Sequence, residues 1–122
     1  MKNRGFPARV GFAVAGWRAA WRRERSFRTQ GIFAAAAVIA LLLLQPPAIW
    51  WAVVALTVAL VLALELINSA LEGLIDLLHP ATHPEIKAIK DMLAGAVLAI
   101  SCAALAVGFL LSLTCLWPML DA

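Results

Sequence analysis

The sequence predicts an all-α integral membrane protein, with one amphipathic surface helix followed by three transmembrane helices. Of its 122 residues 64% are apolar, and the mean hydropathy is +0.92. A soluble domain of this length could not bury so much apolar surface. Three apolar runs are each long enough to cross a bilayer, which takes about 20 residues. The strict polar and apolar alternation of a membrane β-barrel does not occur in the sequence.

The first element, residues 8–26, has the pattern of a helix that lies in the membrane interface. Its apolar side chains recur at helical spacing, at Val10, Val14, Trp17 and Trp21. Its neighbouring stripe is basic and contains Arg18, Arg22 and Arg25. The apolar face would enter the bilayer while the arginines reach anionic headgroups, so anchoring alone could explain this helix. Glu24 is the exception, because it interrupts the basic run where the helix meets the first span.

Three spans are predicted over residues 27–45, 47–78 and 85–118 of a single membrane domain that covers residues 1–122. The second span extends into the cytoplasm, and Pro80 and Pro84 then break the helix. Lys2 and six of the seven arginines precede the first span, Arg28 lies in its first turn, the other two lysines lie at the start of the third span, and the first loop has no charge. Basic residues stay cytoplasmic, which predicts a multi-pass protein of the bacterial inner membrane with its N-terminus inside and its C-terminus periplasmic. Membrane topology and attraction to anionic lipid headgroups therefore explain the excess of basic residues without a nucleic acid partner.

Four polar residues interrupt the cytoplasmic half of the second span, namely Glu65, Asn68, Glu72 and Asp76. At 100° per residue they fall within an arc of about 80° on one helix face. Each charge costs about 2.5 kcal/mol or more at the centre of a membrane helix. A structural contact between helices is the simpler explanation, but one polar residue would suffice for that. The cluster therefore favours a site that binds a cation and a polyphosphate.

The start of the third span supplies the remaining groups of this site. Lys90 could neutralise phosphate charge, and Mg²⁺ takes oxygen ligands and usually arrives with phosphates. Glu65, the deepest acid, could accept a proton. The glycine-rich phosphate loops of the two familiar kinase classes do not occur in the sequence. His79 and His83 are four residues apart, but Pro80 lies between them, so we do not expect a zinc site.

With these residues in view, the sequence resembles the prokaryotic diacylglycerol kinase and undecaprenol kinase family of small membrane lipid kinases. Three stretches carry the resemblance: GWRAAWRRERSFR (16–28), ELINSALEGLID (65–76) and AIKDMLAGAVL (88–98). The resemblance implies a homotrimer with active sites at the membrane–cytoplasm boundary, each composed from neighbouring subunits. It also implies that ATP and Mg²⁺ enter from the cytoplasm and that the lipid enters from the bilayer.

The resemblance further implies a role for each residue of the site. Glu65 looks like the general base that takes the proton of the lipid hydroxyl. Glu24 and Glu72 look like the ligands of the metal ion, and they share the nucleotide with His83, Lys90 and Asp91. Asn68 and Asp76 look like supporting polar groups. The residues that look like the lipid-binding wall are Arg18, Ala19, Ala20, Trp21 and Arg28, together with Glu65.

The sequence also departs from the family pattern and leaves alternatives open. Gln30 stands where some members have an acid, Arg9 is a candidate for a basic residue near the start, and Phe12 occupies the place of a tyrosine that this chain lacks. The stretch WRAAW and the arginine-rich helix favour diacylglycerol as the substrate, with undecaprenol as the alternative. A non-enzymatic channel or assembly subunit is the alternative of another class, because acid rings line cation pores. That alternative leaves Glu24 and Lys90 without a role.

Overall fold

The computed structural model describes residues 3–121, so Lys2 of the basic N-terminal region lies outside the described residues. Four helices follow one another: α1 (Phe6–Arg23), α2 (Arg25–Leu44), α3 (Ala48–Leu78) and α4 (Pro84–Leu120). No strand occurs within residues 3–121. The predicted all-α class is therefore confirmed, and α2, α3 and α4 are each long and apolar enough to cross a membrane.

The junction between α1 and α2 is a break at a single residue, Glu24. Its backbone is extended, with φ −110° and ψ 110°, and its N–H still donates to the carbonyl of Ala20 at 2.8 Å. The helix resumes at Arg25, two residues before the predicted start of the first span. We call this break the Glu24 elbow. It separates the amphipathic α1 from the first apolar span.

Two contacts fasten the Glu24 elbow. The Arg28 guanidinium donates through Nη1 to the carbonyls of Trp21 at 2.8 Å and Arg22 at 3.2 Å, which would otherwise lack partners at the end of α1. Phe27 is 3% exposed, and its ring meets the ring of Trp17 edge-on with centroids 5.4 Å apart. Consecutive residues at the start of α2 therefore hold the end of α1 in place.

Gly31 allows α1 to approach α2 closely. A Cβ atom built on Gly31 would lie 2.9 Å from Cζ3 of Trp21, which is too short for an ordinary contact. The absence of a side chain on Gly31 thus makes room for the Trp21 ring about two helical turns beyond the elbow. A packing contact within one chain accounts for this glycine.

The connection between α2 and α3 is short and turns sharply. Gln45 ends α2 in the left-handed conformation, with φ 45°, and its Nε2 donates to the carbonyl of Leu42 at 2.9 Å. Pro46 and Pro47 follow, and neither can continue the helix because each lacks a backbone N–H. The two spans are therefore joined as a tight antiparallel pair.

The helix α3 is the centre of the bundle, since it packs against α4, α2 and, less extensively, α1. A small core contains one buried residue from each span: Leu41, Val54 and Leu111. Most other large apolar side chains remain exposed, such as Leu43 at 79% and Leu105 at 76%. This exposure suits helices whose outer faces meet lipid tails or other membrane helices, because in hydrocarbon an exposed apolar side chain carries no penalty.

Candidate functional site

The most buried ionisable group of the described chain is the carboxylate of Glu65. Glu65 is 3% exposed and lies in the C-terminal half of α3. Its Oε2 accepts a hydrogen bond from the Ser26 hydroxyl at 3.2 Å. A buried charge is costly unless it has polar partners, so this contact between α2 and α3 partly compensates the burial.

Sequence reasoning missed Ser26. The residue lies in the first turn of α2, two positions after the Glu24 elbow. Neither hydropathy nor residue spacing distinguishes a serine in such a basic segment. Its contact with Glu65 depends on how α2 is rotated relative to α3, and the elbow sets that rotation.

One and two turns beyond Glu65, α3 presents Asn68 and Glu72, both partly buried. The carbonyl oxygen of Asn68, Oδ1, is buried and has no hydrogen-bond partner in the described part of the chain. An unsatisfied buried acceptor costs about 1–3 kcal/mol. Such an oxygen fits a site that a bound cation or hydroxyl group completes.

An ion pair joins two helices at the C-terminal end of α3. Lys90 Nζ lies 2.6 Å from Asp76 Oδ1 and connects the end of α3 to the start of α4. The Lys90 amine donates this hydrogen bond to the Asp76 carboxylate, and the Glu72 carboxylate is close enough to attract the amine as well. The structure thus brings together Glu72, Asp76 and Lys90, three of the residues that the sequence assigned to one site.

The other residues of this connection make local contacts. Lys87 Nζ pairs with Asp91 Oδ2 at 2.7 Å, one turn apart on α4. His83 caps α4, because its Nδ1 accepts a hydrogen bond from the backbone N–H of Glu85 at 3.1 Å. The side chain of Asp91 therefore faces Lys87, and His83 is exposed beside the mouth of the site.

Glu24 is partly buried at the elbow. Within residues 3–121 no group of three or more histidine, cysteine, aspartate or glutamate side chains is arranged to hold a metal ion. Mg²⁺ needs no such cage, since it commonly binds one or two carboxylates together with substrate phosphates. The unsatisfied Oδ1 of Asn68 beside Glu72 adds an oxygen of the type that Mg²⁺ accepts. The donor set therefore fits a metal ion that arrives with a nucleotide.

The residues assigned to the lipid wall occupy different environments. Arg18 and Trp21 line an open groove of about 600 Å³ along α1. Ala20 is buried at 8% exposure, and Ala19 is partly buried. Arg28 is engaged with the carbonyls at the end of α1. Of these five residues, only Arg18 and Trp21 therefore border the open groove beside α1.

Three helices long and apolar enough to cross a membrane, with a buried carboxylate and a lysine-containing polar cluster at one end, define a small integral-membrane protein. The family model of the prokaryotic diacylglycerol kinases matches residues 11–112, and the chain belongs to this family. The resemblance noted in the sequence is therefore confirmed.

Curated relatives in this family have two names. A diacylglycerol kinase of Synechocystis is 41% identical over 98 residues, which are 80% of this chain and 56% of that protein, so this chain spans little more than half of its length. An undecaprenol kinase of Bacillus subtilis is 34% identical over 111 residues, which are 91% of this chain and 89% of the relative. A diacylglycerol kinase of Escherichia coli K12 is 33% identical over 89 residues, or 73% of each chain.

Proposed function

We propose that this protein is a lipid kinase that transfers the γ-phosphate of ATP to the hydroxyl of diacylglycerol and so forms phosphatidic acid. The observation that carries the proposal is Glu65, a carboxylate of 3% exposure inside a membrane helix. Glu72 follows about 10 Å further along the axis of α3, toward the Lys90–Asp76 pair. The proposed proton acceptor thus lies within the membrane, and the proposed phosphate-binding groups follow it along the axis of α3 toward water.

In the proposed reaction Glu65 is the general base. The lipid hydroxyl enters from the bilayer and gives its proton to the Glu65 carboxylate as its oxygen bonds to the γ-phosphorus of ATP. The bond between that phosphorus and the oxygen bridging to the β-phosphate breaks, and ADP leaves with the electron pair. Phosphoryl transfer of this kind depends mainly on positioning and on neutralising charge.

The charged residues above Glu65 hold the nucleotide in this proposal. Glu24 and Glu72 would bind the Mg²⁺ that accompanies ATP, and the bound ion would neutralise charge on the phosphates. Lys90 binds phosphate oxygens, which compete with Asp76 for its charged amine. His83 and Asp91 border the nucleotide at the mouth of the site.

The lipid side of the proposed site is the groove along α1. Arg18 and Trp21 border it, one with a charged group for lipid headgroups and the other with an apolar ring. Ala19, Ala20 and Arg28 support this wall from behind by packing and by fastening the Glu24 elbow.

We further propose that three copies of the chain associate and that neighbouring subunits complete each site. Each chain exposes long apolar helix faces that another membrane helix can cover. In the proposed orientation the N-terminus and the 79–83 connection are cytoplasmic and the C-terminus is periplasmic, because the basic residues lie at the first two places. Crosslinking in bilayers tests the trimer, and labelling of single engineered cysteines at the two termini of intact cells tests the orientation.

Undecaprenol is the second candidate substrate. The relative named undecaprenol kinase aligns with 91% of this chain, more than either relative named diacylglycerol kinase quoted above. Both lipids present a primary alcohol at the membrane surface, so the same base and phosphate-binding groups would act on either.

The decisive experiment supplies the purified protein with labelled ATP and Mg²⁺ in bilayers that contain either diacylglycerol or undecaprenol. We expect labelled phosphatidic acid from the first bilayer and much less labelled product from the second. Labelled undecaprenyl phosphate without phosphatidic acid would favour the second substrate. Ion conductance without any phosphate transfer would refute a kinase and favour a channel.

A further inference from the structure

We propose that Ser26 is a positioning residue for this reaction, which holds the Glu65 carboxylate in the orientation that receives the proton of the lipid hydroxyl. This inference rests on the proposed function, because it needs Glu65 to act as the base. Ser26 itself acts through Glu65 and touches neither phosphate nor lipid in this proposal.

The contact that supports the proposal joins two helices. Ser26 Oγ on α2 donates to Oε2 of Glu65 on α3 at 3.2 Å. Within residues 3–121 no other side chain donates a hydrogen bond to Glu65, which is nonetheless 3% exposed. The distance is slightly longer than the usual range of about 2.5–3.0 Å for O–H···O hydrogen bonds. The bond engages one carboxylate oxygen and leaves the other, Oε1, without a side-chain donor among the described residues.

The hydroxyl is held in place by its neighbours along the chain. Phe27 is buried against Trp17, and Arg28 is bonded to two carbonyls of α1. Ser26 lies directly before these two residues and two positions after the Glu24 elbow. The rotation of the first turn of α2 is consequently set by α1, and with it the direction of the Ser26 hydroxyl.

Orientation matters here because the last torsion of a glutamate side chain is soft. Carboxylate groups rotate broadly about that bond, whereas a general base must lie within about 2.6–3.2 Å of the proton donor. When Ser26 holds one oxygen, the other oxygen is presented in a defined direction. Such preorganisation accelerates a reaction without changing how tightly the substrates bind.

The test compares three variants in bilayers with diacylglycerol, ATP and Mg²⁺. We expect Ser26→Ala to lower kcat about tenfold, with the KM values for ATP and lipid unchanged. Ser26→Thr keeps the hydroxyl and should restore most of kcat. Thr29→Ala is the matched control, because its hydroxyl lies one turn further along α2 and donates to the backbone carbonyl of Arg25 at 3.1 Å. It should keep the wild-type kcat.

The inference is overturned if Ser26→Ala turns over like Thr29→Ala, if it changes KM alone, or if Ser26→Thr fails to restore kcat. A wild-type protein that phosphorylates neither lipid would refute the proposed function instead. The contact can still be judged in that case by the side-chain ¹³C resonances of the four glutamates. A shifted Glu65 resonance in Ser26→Ala supports the contact, and an unchanged resonance overturns the inference.

Discussion

Replacing Lys90 with methionine should separate activity from stability. The methionine keeps most of the length of the side chain and removes its charge. Lys90 is 37% exposed and its partner Asp76 is 63% exposed, and ion pairs as exposed as this one contribute little to stability. We therefore expect the unfolding midpoint of Lys90→Met in detergent to stay close to that of the wild type.

Catalysis should respond much more strongly to the same change. Removing one charged donor from a closed site lowers kcat by about 10²–10³-fold, and water screening at a partly exposed lysine favours the lower end. We expect kcat to fall about 30- to 100-fold and the KM for ATP to rise, because Glu72 and Asp76 would then face the phosphates without a compensating cation. The assay is phosphatidic acid formation at varied ATP.

Lys87 provides the matched control for this prediction. It lies on the same helix and pairs with Asp91 at 2.7 Å, but its side chain is 76% exposed. Lys87→Met should keep wild-type kcat and KM. The reasoning is refuted if the two variants lose equal activity or if Lys90→Met turns over normally.

Three further predictions concern the base, the metal ion and the elbow. Glu65→Gln should lower phosphate transfer by about 10²–10⁴-fold without changing the oligomeric state seen by crosslinking, and normal turnover would exclude Glu65 as the base. Glu24→Ala and Glu72→Ala should each raise the Mg²⁺ concentration needed for half-maximal activity; an unchanged Mg²⁺ titration would remove that residue from the metal site. Gly31→Ala should lower the thermal unfolding midpoint, because the new Cβ would lie 2.9 Å from Trp21. Overpacking costs about 1–3 kcal/mol of stability, which should outweigh the gain of about 1 kcal/mol from the higher helix propensity of alanine. A raised unfolding midpoint would contradict this prediction.

The helices could be predicted from the sequence because each depends on local information. Apolar runs and their flanking charges predict the spans, and prolines at 46, 47, 80 and 84 predict the breaks. The one-sided cluster from Glu65 to Asp76 follows from the pitch of a helix alone. The proximity of Lys90 to Asp76 follows from the antiparallel pairing of α3 and α4 across a short connection.

Contacts that depend on the rotation of one helix about its axis could not be predicted in this way. The Ser26–Glu65 bond requires α2 to face α3 at one particular angle, and hydropathy carries no information about that angle. The cap that His83 forms on α4 needs backbone geometry as well as sequence. The contact between Gly31 and the Trp21 ring likewise depends on how α1 folds back against α2.

The tight connection between α2 and α3 has a consequence for how the protein enters the membrane during its synthesis. Only residues 45–47 separate these two helices, and none of the three carries a charge. Carrying a charged side chain through the middle of a bilayer costs about 2.5–3.5 kcal/mol, and this connection avoids that barrier. The two helices can therefore insert together as a preformed hairpin, and in the proposed orientation the arginines before the hairpin and in its first turn remain on the cytoplasmic side.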